Sequence, residues 1–520
     1  MTEEVAFDST VGRWVLAVAV LGSGMAFLDG TVVNVALPDI GRDLDASTSS
    51  LQWILNGYLL TLASLILLGG SLGDRYGRRR VFVLGTGLFT AASMLCAIAP
   101  NVELLVVARL LQGIGGALLT PGSLAMIESS FRPADRARAI GAWSGLGGVA
   151  TALGPLLGGY LVDAVSWRAI FLINLPLGIF VIAMASRHVP ETRDPTTSGH
   201  LDFAGATLAG LGLAGTTYAL IEAPGKGASP LILLAGIGGV VALVAFLLGE
   251  RRNANPMMPL EIFGSRQFSA ANLVTFVVYA ALGGVFFLLV AFLQISLGYS
   301  PIAAGAASLP VTVLMLLLSA RSGALAQRIG ARIPLTAGPL VIAVGLLLMT
   351  RIDPGDSYVS TVLPAVIVFG LGLTLVVAPV TATVLAAADA RHSGIASGIN
   401  NAVSRVAGLL AVAVLPLIAG LTGDSFYDPS AMADGFRVAM VACAVLAALG
   451  GVLAWLTISS EVLEVAPATD GGTPDRAATD FSCAVAGTPL RPGREARCAP
   501  VGYGDLARAR AGVGAPADQG

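Results

Sequence analysis

The sequence predicts an all-α polytopic membrane protein with fourteen spans. Three observations carry that expectation: composition, the length of the apolar runs, and the placement of arginine. Of 520 residues, 55% are hydrophobic and 12% charged, and the mean hydropathy is +0.81. A water-soluble domain is about a quarter charged. So few charges cannot clothe a water-facing surface of this size, which makes lipid the implied solvent. Many of the 64 glycines lie inside apolar runs. Inside a soluble helix each would cost about 1 kcal/mol, but between membrane helices glycine lets backbones approach closely.

A bilayer core takes roughly 20 apolar residues per helix. By that length the spans fall near 14–37, 51–72, 81–99, 103–127, 138–162, 168–186, 202–222, 230–249, 269–295, 302–320, 333–350, 360–387, 394–420 and 434–457. The first run is too long for a signal-peptide core and contains Asp29, so it reads as an uncleaved span. The even-numbered loops hold sixteen arginines, from Arg75 to Arg391. The odd-numbered loops hold five basic residues, namely Arg42, Arg168, Lys226, Arg351 and Arg437. A missed or extra span would scramble this split. The positive-inside rule then puts the even loops and both termini in the cytoplasm. Residues 458–520, rich in Ala, Gly, Pro, Asp and Arg, read as a disordered cytoplasmic tail.

Other classes find no support. The net charge of −2 and the lack of a basic tract exclude a nucleic-acid partner. Cys96, Cys443, Cys483 and Cys498 have neither metal-ligand spacing nor a disulfide pattern. His188, His200 and His392 form no metal cluster, and there is no Walker-type phosphate loop, so ATP is not the energy source. No enzymatic chemistry, metal or cofactor is expected.

The chain repeats itself. Gly70-Ser-Leu72-Gly-Asp74-Arg75-Tyr-Gly77-Arg78 follows span 2, and Gly323-Ala-Leu325-Ala-Gln327-Arg328-Ile-Gly330-Ala331-Arg332 follows span 10. Six-helix halves alone would give an offset of six. An offset of eight requires two extra helices, and spans 7 and 8 are the natural insert. The expected organisation is 1–13 as N-terminal segment, 14–187 and 269–457 as six-helix halves, and 188–268 as a two-helix insert with its loops. Parallel halves with a path between them are a transporter architecture.

Five motifs now occur in order. Leu28-Asp29-Gly-Thr31-Val-Val-Asn34-Val-Ala-Leu-Pro38 lies in span 1, and Gly70 to Arg80 follows span 2. Arg109-Leu-Leu-Gln112-Gly113-Ile-Gly-Gly116 lies in span 4, and Gly147 through Gly154-Pro155-Leu-Leu-Gly158-Gly159 in span 5. Trp167-Arg168 with Phe171, Asn174 and Pro176 closes the set. Over residues 14–457 the chain resembles the major facilitator superfamily, in its fourteen-span drug:proton antiporter branch (EmrB/QacA-like). The resemblance implies a 6+2+6 fold and a proton-gradient-driven exporter of small amphipathic molecules, acting as a monomer in the bacterial plasma membrane. A metabolite uniporter or importer is the alternative, and a transporter-derived receptor a more distant one. The arginine and Ala/Gly bias matches a GC-rich bacterial gene, for which antibiotic self-resistance is the expected role.

Physical reasoning assigns candidate roles. Asp29 lies about halfway along span 1, where a charge costs roughly 2.5–3.5 kcal/mol on insertion scales and needs an inward-facing partner. Arg109 reaches a similar depth, so a pair is geometrically possible, with Asp29 the titratable coupling group and Arg109 its tuner. Asp74, Arg75 and Arg78, framed by Gly70 and Gly77, read as a gate that reaches across the halves, with a topology signal alone as the alternative for Arg78, Arg79 and Arg80. In the second copy Gln327 cannot supply that charge, so a weaker gate is expected there. Gly154, Pro155, Gly158 and Gly159 read as a leak-tight seam. Asn34, Gln52, Asn56, Tyr58, Trp143, Asn174, Tyr218, Asn272, Tyr279, Gln294, Asn400 and Asn401 are candidate cavity residues or, singly, helix–helix glue. As a set they suit amphipathic, aromatic or weakly cationic molecules. Arg405 is expected to be structurally paired, and Glu222 to be solvated.

Overall fold

Small polar side chains open most of the membrane helices. Ser9, Ser47, Asn101, Asp202, Ser229, Ser265, Ser300 and Asp428 each accept a backbone N–H from the first turn that follows. The first N–H groups of a helix have no partner inside it, and these oxygens supply one. The computed structural model describes residues 5–193, 201–253, 255–388 and 393–463. Among them, fourteen helices are long and apolar enough to cross a membrane. They are α1 (Thr10–Asp43), α2 (Thr48–Tyr76), α3 (Arg78–Ala97), α4 (Val102–Ser130), α5 (Pro133–Ala164), α6 (Ala169–His188) and α7 (Phe203–Lys226). Then follow α8 (Pro230–Arg252), α9 (Arg266–Ile295), α10 (Pro301–Ile329), α11 (Arg332–Met349), α12 (Tyr358–Ala386), α13 (Ser393–Ile418) and α14 (Pro429–Thr457). Several run past their apolar stretches, because helical hydrogen bonding continues into the polar ends. His200, Arg391, His392, Cys483, Cys498 and the tail from residue 464 lie outside the described residues.

The packing repeats at an offset of eight. In the first six helices α1 packs on α5 and α6, α2 on α4, and α3 on α4 and α6. In the last six, α9 packs on α13 and α14, α10 on α12, and α11 on α12 and α14. The two loop motifs also share a turn. Gly77 has φ +113° and Gly330 +83°, in the left-handed region that glycine enters without strain.

The hairpin α7–α8 is closely packed: a Cβ on Gly215 would fall 2.4 Å from the Ala235 carbonyl oxygen. It docks through α7 on α2 and α13, one helix from each half. Glu222 is not solvated, as expected from sequence, but 8% exposed. Trp53 Nε1 of α2 donates to its Oε1 at 3.0 Å, and Lys226 Nζ lies 2.8 Å from Oε2. The hairpin is thus fastened to the first half. Trp53→Phe strands a buried carboxylate oxygen, which costs about 1–3 kcal/mol. The thermal midpoint of the purified protein should fall accordingly; an unchanged midpoint would show the clasp to be idle.

Hydrogen bonds between the halves gather at one end of the bundle, the end away from the N terminus (the far end below). Gln52 Nε2 donates to the carbonyls of Val412 and Ala413 at 2.7 and 3.1 Å. Gln294 Nε2 donates to the Val35 carbonyl at 2.8 Å. Thr48 Oγ1 donates to the Gly423 carbonyl, Tyr427 Oη to that of Ala46, and the Ile302 N–H to Asp163 Oδ2. The far end is therefore closed in this state.

Candidate functional site: a buried ion pair between α1 and α4

Asp29 and Arg109 meet in the interior of the first half. Arg109 Nη1 lies 2.5 Å from Asp29 Oδ2, and both side chains are 1% exposed. Helical spacing puts Gln112 on the same face of α4 as Arg109. Gln112 Nε2 donates to Asp29 Oδ1 at 2.8 Å, while its Oε1 accepts from Arg109 Nη1 at 2.7 Å. Arg109 Nε donates to the Ile54 carbonyl at 3.0 Å, and its guanidinium stands 4.6 Å from the centroid of the Tyr58 ring. Behind Gln112, Ser93 Oγ accepts from both Gln112 Nε2 and Asn174 Nδ2. Both charges are thus paired and hydrogen-bonded, the condition under which burial is tolerable.

The other candidate residues sort by what they touch. Gln52 and Gln294 hold the far-end seam, and Asn174 supports Gln112 from behind, so these three act as glue between helices. Trp143 Nε1 donates to Ser23 Oγ at 2.8 Å, tying α5 to α1. Asn34 Nδ2 turns back to the Gly30 carbonyl of its own helix. Asn400 Nδ2 of α13 donates to Asn272 Oδ1 and Thr275 Oγ1 of α9. Tyr218 of the hairpin stacks loosely on Trp53. Tyr58 Oη donates to the Ala26 carbonyl at 3.4 Å. Asn56 is fully buried, yet neither of its side-chain polar atoms has a partner. Tyr279 is partly buried on α9.

Asp74 Oδ1 accepts from Arg78 Nη2 at 2.7 Å, one turn away. Arg75 lies against the Tyr76 ring. Arg79 and Arg80, read alternatively as a topology signal alone, converge on Glu191 at 3.5 and 3.7 Å. Gly77 is required at this point by its φ of +113°, and a Cβ there would also crowd Glu191 Oε1 at 2.6 Å. A Cβ on Gly70 would meet only Pro121, at 3.7 Å.

The span 5 glycines make close contacts on two sides. A Cβ on Gly154 would lie 1.9 Å from Thr31 Oγ1, and one on Gly158 3.2 Å from the Val32 carbonyl oxygen, both on α1. A Cβ on Gly159 would lie 2.4 Å from the Pro301 carbonyl oxygen of α10. In return, one on Gly305 of α10 would lie 2.1 Å from that of Pro155. Backbone thus packs on backbone across the seam.

Comparison with known proteins agrees with this architecture. Residues 19–412 match the family model of the Major Facilitator Superfamily. The chain belongs to the Major Facilitator Superfamily. It is similar to the methylenomycin A resistance protein of Bacillus subtilis, 36% identical over 456 residues, covering 87% of this chain and 96% of that one. It is also similar to the tetracenomycin C resistance and export protein of Streptomyces glaucescens, 37% identical over 426 residues and covering 81% and 79% of the two chains. Among solved structures, a bacterial homologue of the human lysosomal transporter Spinster, inward-facing and unoccupied, superposes with a TM-score of 0.64 at 19% identity, covering 88% of this chain and 98% of that one. That likeness concerns the fold. This superfamily member is a membrane transporter rather than an enzyme, and a multi-pass protein of the bacterial plasma membrane.

Sequence reasoning quoted Gln112 in a motif without giving it a role. The signal was its place three residues after Arg109, one turn along the same face. Arg405 departs from expectation as well: among the described residues it has neither a salt bridge nor a hydrogen bond, and its Nε is buried without a partner.

Proposed function

We propose that this protein is a proton-coupled antiporter that exports amphipathic small molecules, an antibiotic or related compound among them. The observation that carries the reading is the buried Asp29–Arg109–Gln112 cluster, the only arrangement among the described residues in which a carboxylate and a guanidinium pair inside the bundle with both side chains fully buried. The names of its relatives, resistance and export proteins, support the direction of transport. With the arginine-rich loops inside, both termini are cytoplasmic and the far end is extracellular. The state seen here is then closed toward the outside.

The cluster is built so that its pair can part. When Asp29 takes a proton, Arg109 keeps Gln112 Oε1, the Ile54 carbonyl and the Tyr58 ring. The guanidinium is therefore not stranded, and α1 is freed from α4. Val35, whose carbonyl holds Gln294 across the halves, lies six residues further along α1, about 9 Å at 1.5 Å per residue. A shift of α1 at Asp29 thus acts directly on the far-end seam. Each proton moving inward gains about 2.3 kcal/mol per 100 mV of membrane potential. No cofactor takes part.

Everted vesicles carrying the protein test this reading. Uptake of an aromatic amphiphile panel should follow an acid-inside gradient and reverse with it. Uptake indifferent to the sign of the gradient would make the protein a uniporter instead.

A further inference from the structure

Arg405 is a cation without an answer. It sits midway along α13, and among the described residues no carboxylate pairs with it and no hydrogen bond holds it. An ionisable group at such a depth is expensive and ordinarily finds a partner or a ligand. Asp29 and Arg109 cancel one another, so Arg405 leaves the interior one positive charge in excess.

The register of α2 against α13 places this charge. Gln52 holds the Val412 and Ala413 carbonyls at the far end, and Gly398 faces Leu67 nearer the cytoplasmic end. Between these two levels, the antiparallel helices bring Leu59 and Leu60 to the level of Arg405. Asn56 lies about one turn further toward the far end. It is fully buried, and its amide nitrogen and oxygen both lack partners. Two orphaned donors, the Arg405 Nε–H and the Asn56 amide, therefore lie along the same stretch of the seam between the halves, about one turn apart. The far end above is closed by Gln52.

We propose that Arg405, assisted by Asn56, receives the anionic headgroup of the substrate, so that the transported class is aromatic or amphipathic organic monoanions. This rests on the export reading above and narrows it, and it replaces the weakly cationic preference expected from the sequence. A monoanion leaving the cell also runs with an inside-negative potential, so its export adds to the outward drive.

Three probes on one skeleton test the assignment: 1-pyrenebutyrate, 1-pyrenebutanol and 4-(1-pyrenyl)butyltrimethylammonium. Binding is read by quenching of protein tryptophan fluorescence in phosphatidylcholine nanodiscs with the full chain. The wild type should bind the carboxylate at least tenfold more tightly than either other probe. Arg405→Gln should abolish that preference, and Arg405→Lys should restore part of it. Because the replaced cation is unpaired, Arg405→Gln should leave the thermal midpoint unchanged or raise it; a fall would point to a structural role and overturn the proposal. Equal or absent preference for the carboxylate in the wild type overturns it too. So does displacement of pyrenebutyrate by phosphatidylglycerol, which would assign the site to lipid. Flux in everted vesicles is scored separately. Selective binding without gradient-dependent movement would refute the antiport reading and leave the anion site standing.

Discussion

Everted vesicles carrying Asp29→Asn will accumulate substrate no faster than empty vesicles when an acid-inside gradient is applied. Asparagine keeps the shape of aspartate and an oxygen to accept from Arg109, so helix packing around α1 is retained. What it loses is the cluster's one carboxylate, the group assigned here to take up and release the coupled proton. The expected drop in gradient-driven uptake is about 100-fold, which corresponds to roughly 2.7 kcal/mol of lost driving interaction. Exchange of labelled for unlabelled substrate across the same vesicles should persist, since it needs switching without net proton movement. Undiminished gradient-driven uptake by a well-expressed Asp29→Asn protein would sink the coupling assignment. The partner behaves differently. Removing Arg109 leaves Asp29 buried and uncompensated, a loss of about 3–5 kcal/mol, so Arg109→Ala should reduce the amount of folded protein as well as its activity.

Gly305→Val should unlatch the far-end seam. A Cβ at this position falls 2.1 Å from the Pro155 carbonyl oxygen, and Gly159 faces Pro301 just as tightly from the other side. A backbone oxygen cannot swing away as a side chain can, so α5 and α10 must separate. Overpacking of this kind costs about 1–3 kcal/mol, and it falls only on the state in which this seam is closed. The population should shift tenfold or more toward far-end opening. The check is a single cysteine, Val35→Cys, in a background lacking the four native cysteines. Val35 is fully buried beneath the seam. Its labelling by a membrane-impermeant maleimide should rise at least tenfold with Gly305→Val. Unchanged labelling would show that this contact does not latch the closed state.

Fourteen helices were legible in the chain because lipid permits little else: every backbone polar group must be satisfied within its own segment, and length alone then counts the spans. The eight-helix offset of the loop motifs reappears as matched packing pairs, α1 on α5 and α9 on α13 among them. The shared depth of Asp29 and Arg109 was legible for a similar reason, since rise per residue converts position into height. Azimuth was not. Gln52 and Gln294 resemble cavity residues in sequence, but they face the opposite half and hold its carbonyls. Glu222 lies near a helix end, where water is the ordinary partner, and only the docking of α7 on α2 brings Trp53 to it. Arg79 and Arg80 share Glu191 because the chain after α6 returns beneath Gly77.

The sequence by itself determined the solvent, the number of spans, the repeat and the depth of each charge. These follow from local quantities: apolar length, charge placement and rise per residue. Only the tertiary structure decided which charges have partners. Asp29 and Arg109 meet with Gln112 between them, whereas Arg405, no less costly in lipid, meets no carboxylate among the described residues. The reason is that pairing depends on which faces of non-neighbouring helices turn toward each other. That is fixed by close packing at residues such as Gly154 and Gly305, far from the charges themselves.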